Sequence, residues 1–168
     1  MKVGFSGHQR RAGIDWEWVR GAITEGLARL PGGFEGLCSL AAGADQVFAK
    51  CVQAQGGRLV VVVPRDDYES FFDDPGDLDA YRELLQIAGG KIELHDSSAP
   101  ERSFLRAGEF ITENADTLMV VWDGKPAEGL GGTADIVRLA RRRRCPVLHI
   151  NPVSREIGGG KTWHSLFS

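Results

Sequence analysis

The stretch Leu118–Asn151 constrains the fold more than any other part of the chain. It reads Leu-Met-Val-Val-Trp-Asp-Gly, then a short loop, then Gly131-Gly132-Thr133-Ala134-Asp135, an apolar-periodic run, and Cys-Pro-Val-Leu-His-Ile-Asn. Two short, nearly unbroken apolar runs on either side of a helical stripe are two buried strands joined by a helix. A crossover helix returns the chain in the same direction, so the two strands must run parallel. The glycine-rich turn leaves bare backbone N–H groups at the positive end of the helix, where they can hold an anion.

The same alternation runs through the rest of the sequence. Lys2–Phe5 is a β-rich run, and Asp15 is placed to cap a helix carrying Val19, Ala22, Ile23, Leu27 and Leu30, stopped by Pro31-Gly32-Gly33. Glu35–Leu40 is a second strand. The next helix has Ala44, Val47, Phe48, Cys51 and Val52 on one face, and Arg58–Val63 is a third, continuously apolar strand. The acidic segment Arg65–Asp79 is expected to be a loop with a short helical piece, followed by a helix over Leu78–Ala88 and a short strand at Lys91–His95. Pro100 opens a helix with Phe104, Ala107, Gly108, Ile111 and Ala115 inward. Asp116–Trp122 and Pro146–Ile150 are the last strands, and Val153–Ser168 has no clear periodicity; Trp163 and Phe167 of this tail are expected to dock. The pattern predicts an α/β fold: a three-layer, Rossmann-like parallel sheet with helices on both faces, in one domain over residues 1–168.

Composition narrows the function classes. A net charge of −3 gives no global electrostatic case for nucleic acid or an anionic membrane, so nucleic acid is not expected as a partner. No apolar run approaches the roughly 20 residues of a membrane span. Cys38, Cys51 and Cys145 have neither metal-type spacing nor an even disulfide count, and are expected as buried thiols in a reducing cytoplasm. The four histidines are scattered, no metal or other cofactor is implied, and Gly158–Thr162 lacks the first glycine of a phosphate loop. The run Arg141–Arg144 at a helix end suits the helix dipole and solvent.

In an open α/β sheet, ligands bind beyond the carboxyl ends of the strands. Three loops should share that edge. Ser6-Gly7-His8-Gln9-Arg10 offers close backbone approach and polar donors. Ala42-Gly43-Ala44-Asp45 lets a helix start pack close to a ligand or to the sheet, with Asp45 either accepting from a ribose hydroxyl or simply occupying a favourable first turn. Trp122-Asp123-Gly124 with Gly131-Gly132-Thr133 forms the third, as an anion cradle or simply as a turn with Thr133 capping the helix, and Arg106 either reaches a phosphate from the side or is an exposed helix arginine. Trp16, Phe71 and Phe72 suggest either a subunit contact or local packing.

On these residues the chain resembles the SLOG superfamily, the Rossmann-like group of lonely-guy-type phosphoribohydrolases, nucleotide-sensing domains of bacterial conflict systems and the N-terminal region of TRPM channels. Ser6-Gly7-His8, Ala42-Gly43-Ala44-Asp45, Val120–Gly124, Gly131-Gly132-Thr133 and Pro146–Ile150 carry the resemblance, from Lys2 to about Pro152. It implies a nucleotide or nucleotide-derived ligand and a homo-oligomer. The hydrolytic relatives carry a Pro-Gly-Gly-x-Gly-Thr-x-x-Glu motif. Here the position three past Thr133 is Ile136, and the nearest carboxylate, Asp135, points about 100° away on an ideal helix.

Three functions follow as expectations. The first is a nucleotide-binding or sensing domain. The second is a nucleotide N-glycosidase or deoxyribosyltransferase-like enzyme, with Asp135 the candidate catalytic carboxylate and Asp45 or Asp123 as substitutes. The third is an interaction scaffold with a vestigial pocket.

Overall fold

A computed structural model describes residues 1–9, 12–126 and 130–159. In chain order it contains β1 (Lys2–Gly7), α1 (Trp16–Leu27), β2 (Glu35–Cys38), α2 (Ala44–Ala54), β3 (Arg58–Val63), a short 3-10 helix (Tyr68–Phe71), α3 (Pro75–Ile87), β4 (Gly90–Glu93), α4 (Pro100–Glu113), β5 (Thr117–Val121), α5 (Thr133–Arg142), β6 (Val147–Asn151) and β7 (Glu156–Gly159). The strands form one sheet in the order β4-β3-β2-β1-β5-β6-β7, parallel throughout except for β7.

The helices divide between the two faces as the patterning predicts. On one face, α1, α2 and α3 pack Ile23, Phe48 and Leu84 against Phe5, Val61 and Met119. On the other, α4 and α5 pack Ala107, Ile111, Ile136 and Val137 against Val62, Leu118 and Val120. Strands β3 and β5 are covered on both sides, which is why their sequences are apolar at consecutive positions instead of alternating.

Local chemistry sets the helix starts. Asp15 accepts a hydrogen bond from the Trp18 amide at 3.0 Å and begins α1. Asp74 accepts from Gly76 and Asp77 ahead of Pro75, so α3 begins three residues before the expected Leu78. Strand β2 ends at Cys38, two residues short of expectation, because the chain turns at Leu40 with φ +57°. The tail holds a strand the sequence did not announce: β7 pairs antiparallel with β6 through Ile150–Ile157 and Asn151–Glu156. It is short, mostly exposed and half glycine, so no apolar alternation marks it. Trp163 and Phe167 lie outside the described residues.

Cys38 and Cys51 are buried, Cys145 is half-buried, and all three are free thiols. Burial pushes each thiol above its usual value, which keeps it protonated and unreactive. No helix among the described residues is long and apolar enough to cross a membrane.

Candidate functional site

From β1 the chain adds β2, β3 and β4 on one flank, then crosses through α4 and places β5 on the other side of β1. The loops leaving β1 and β5 therefore diverge to opposite sides of the sheet, and a crevice opens at their carboxyl ends. A cavity of about 600 Å³ occupies that crevice, within the range of small-molecule sites.

Ser6, Gly7, His8 and Gln9 line it from β1, Asp45 from α2, Trp122 and Asp123 from the end of β5, and Gly131, Gly132 and Thr133 from the start of α5. The structure thus brings together residues from all three glycine-bearing loops. Gly43, Ala44, Gly124, Arg106 and Asp135 do not line the cavity. Arg10 lies outside the described residues.

The first loop serves as scaffold as well as wall. The His8 amide donates to the Val121 carbonyl at 3.0 Å, and the His8 carbonyl accepts from the Ala44 amide at 3.1 Å. Both strand ends and the start of α2 are pinned through this one residue. The His8 ring faces Asp123, whose amide donates to Nε2 at 3.0 Å while its Oδ1 lies 3.2 Å away. Gly7 makes the approach possible: a Cβ there would sit 2.6 Å from the Ala44 methyl carbon.

In the second loop, Asp45 is 6% exposed and spends Oδ2 on the amides of Ser39 (3.1 Å) and Ala41 (3.4 Å). Those amides flank Leu40, so the carboxylate clamps the left-handed turn. Burial pushes Asp45 up to about 7, and the two amide hydrogen bonds only partly oppose this. Asp45 thus occupies the first turn of α2 and also lines the cavity.

The third loop is the turn into α5. Ser6 Oγ lies 3.4 Å from Thr133 Oγ1. Among the described residues, the amides of Gly132, Thr133 and Ala134 meet no acceptor, as at any helix start without a side-chain cap. At α2, by contrast, the first amide is occupied by His8. Gly131 adopts φ +86°, and a Cβ there would lie 2.8 Å from the Glu101 carbonyl oxygen, so this loop packs against α4 backbone. Asp135 holds the turn closed. Its Oδ2 accepts from the Gly131 amide at 3.0 Å, and Oδ1 pairs with Arg138 at 2.8 Å. The candidate catalytic carboxylate is therefore engaged by the turn before its helix and by Arg138, outside the cavity lining. Arg106 is 66% exposed and pairs with Asp96 at 3.1 Å, also away from the lining.

An aromatic wall lines the same cavity, and sequence reasoning missed it. Tyr68, Phe71, Phe72 and Phe104 all line the cavity. Phe71 meets the edge of Phe104 at 5.2 Å, and Tyr68 meets Phe72 at 5.4 Å. The available signal was the cluster Tyr-Glu-Ser-Phe-Phe just past the end of a buried strand, but Phe104 joins it only through the crossover helix. Trp122 is held separately, its indole donating to the Lys125 carbonyl at 2.8 Å and its ring stacked obliquely on His149. Trp16, the first residue of α1, packs against the core. No group of three metal-ligating side chains occurs among the described residues.

No family model and no curated protein sequence matches this chain. Solved structures do. DNA processing protein A from Helicobacter pylori, whose structure concerns a single-stranded DNA binding mode, matches with TM-score 0.63 and 18% identity over 89% of this chain and 64% of that one. DNA processing protein A (DprA) from Streptococcus pneumoniae matches with TM-score 0.63 and 17% identity, covering 88% of this chain and 49% of that one. The protein TM1055 matches with TM-score 0.53 and 16% identity over 87% and 71%. The chain thus spans less than two thirds of either DprA protein. The shared feature is the Rossmann-like α/β fold. One protein of that fold binds single-stranded DNA, so the fold does not support the exclusion of nucleic acid drawn above from net charge.

Proposed function

We propose that this chain is a SLOG-type domain whose crevice binds a nucleotide or a nucleotide-derived small molecule. One observation carries the reading: the open amides of residues 132–134 and the hydroxyls of Ser6 and Thr133 border a cavity of about 600 Å³ that is also lined by Tyr68, Phe71, Phe72 and Phe104. The amides and helix dipole suit a phosphate, and the wall suits an apolar ring. The ssDNA-binding neighbour of the same fold adds support, since its ligand is also built of phosphate and base. The reading includes a cytoplasmic homo-oligomer, whose stoichiometry light scattering on the purified chain measures.

A thermal-shift panel of AMP, ADP-ribose, cyclic nucleotides and a short oligodeoxynucleotide tests it. A ligand present at a hundredfold over Kd contributes about 2.7 kcal/mol, or roughly 5–10 °C in a chain of this size. Thr133→Ala should reduce that shift. No response to any ligand would leave the scaffold reading in its place.

A second reading, cleavage of a nucleotide N-glycosidic bond, is favoured by the state of Asp45. A cavity-wall carboxyl held near neutral can lose or take a proton at working pH, as a general acid or base must. Asp123 also lines the cavity; Asp135 would act only by shaping the turn at Gly131. Release of free base from AMP, lost in Asp45→Asn and retained in Asp135→Asn, is the expected result. Absence of release from a broad set of monophosphates would exclude the enzyme.

A further inference from the structure

The aromatic wall has more structure than a lining requires. Phe71 is 38% exposed, yet its ring is fixed from two sides. The Phe104 ring meets it nearly at right angles, 89° between planes. The Arg65 guanidinium lies over it, 5.2 Å from the ring centroid. Arg65 is itself immobilised by an ion pair with Asp67 and by donating to the Ser98 carbonyl at 3.1 Å. The guanidinium does not line the cavity, whereas the Phe71 ring does. The ring is thus oriented before any ligand enters and remains partly uncovered. A pre-set aromatic surface costs little ordering entropy on binding and accepts a planar π-system in offset or edge contact.

Resting on the reading above, we propose that Phe71 and Phe104 form a nucleobase subsite, so that the ligand carries an intact planar base and is not a sugar phosphate or a free phosphate. The anion would lie at the start of α5, and the base against the 3-10 helix and α4, whose Glu101–Leu105 backbone packs against Gly131.

Calorimetric titration with AMP, ribose 5-phosphate and inorganic phosphate tests this, using wild-type protein, Phe71→Ala and Phe71→Trp. Phe71 is partly exposed, and an unchanged melting temperature without ligand shows that each variant folds. AMP should bind at least about tenfold more tightly than ribose 5-phosphate, the scale of one base on one aromatic ring. Phe71→Ala should abolish that preference without altering ribose 5-phosphate affinity, and Phe71→Trp should retain it. Equal binding of AMP and ribose 5-phosphate would overturn the subsite while leaving the anion cradle standing. A preference for AMP that survives Phe71→Ala would place the base elsewhere and also overturn it. Failure of all three probes to bind would remove the cradle and the subsite together. A thymidine oligonucleotide that binds more tightly than thymidine monophosphate, and through Phe71, supports the subsite and identifies a strand as the source of the base.

Discussion

Asp45 sits where two demands meet: its carboxylate closes the Leu40 turn, and it lines the crevice while almost wholly buried. Because burial raises its folded pKa to about 7, far above that of an exposed carboxyl, the folded protein holds this proton while the unfolded chain releases it. Asp45 therefore costs nothing below about pH 4, where both states are protonated. It lowers stability progressively from there to about pH 7, and the loss is constant above. Asp45→Asn removes that dependence and keeps an acceptor for the two amides. Chemical denaturation should show the variant gaining about 1–3 kcal/mol on its parent between pH 5 and pH 8. Gly131 and Gly124 form a second contrast at this scale. Both have positive φ, +86° and +84°, but an added methyl meets Glu101 and Leu105 backbone at the first and nothing at the second. Gly124→Ala should cost about 1 kcal/mol, the conformational penalty alone. Gly131→Ala should cost clearly more and weaken ligand binding with it, as melting curves with and without AMP would reveal.

Among the elements, α4 and α5 meet unusually closely. A Cβ on Gly108 would fall 2.3 Å from Ile136 Cδ1, so this glycine lets the two helices come together at the cavity wall, which both residues line. Gly108→Ala should destabilise by about 1–3 kcal/mol through overpacking. Ile136→Val deletes the offending methyl, and the double variant should be less damaged than the sum of the two singles. Periodicity located every helix and the six parallel strands, because burial on one or two faces writes itself into apolar spacing. It failed at β7, where an exposed, glycine-rich edge strand has no face to protect, and at the start of α3, where the Asp74 cap precedes the first apolar residue. At Leu40 a buried leucine takes a left-handed conformation that glycine usually supplies, and only its clamp by Asp45 explains the strand's early end.

For the whole molecule, the polar half of the candidate site was legible in the sequence because each glycine turn follows a strand, and strand ends in a parallel sheet share one rim. What could not be read was which turns face inward. Asp135 and Arg106 look suitable in one dimension, but each is engaged by a near neighbour, Gly131 and Arg138 for the first and Asp96 for the second. The aromatic half depended on contacts across the crossover, between Phe71 and Phe104, which no local pattern encodes. The pinning of His8 has a consequence for deuterium uptake. With its carbonyl on the Ala44 amide, that proton is shielded whether or not the crevice is filled, while the amide protons at 132–134 have no such guard. In a labelling time course, adding AMP should slow uptake at Gly132–Ala134 and leave Ala44 as slow as before, so the second helix start serves as an internal clock against which the first is read.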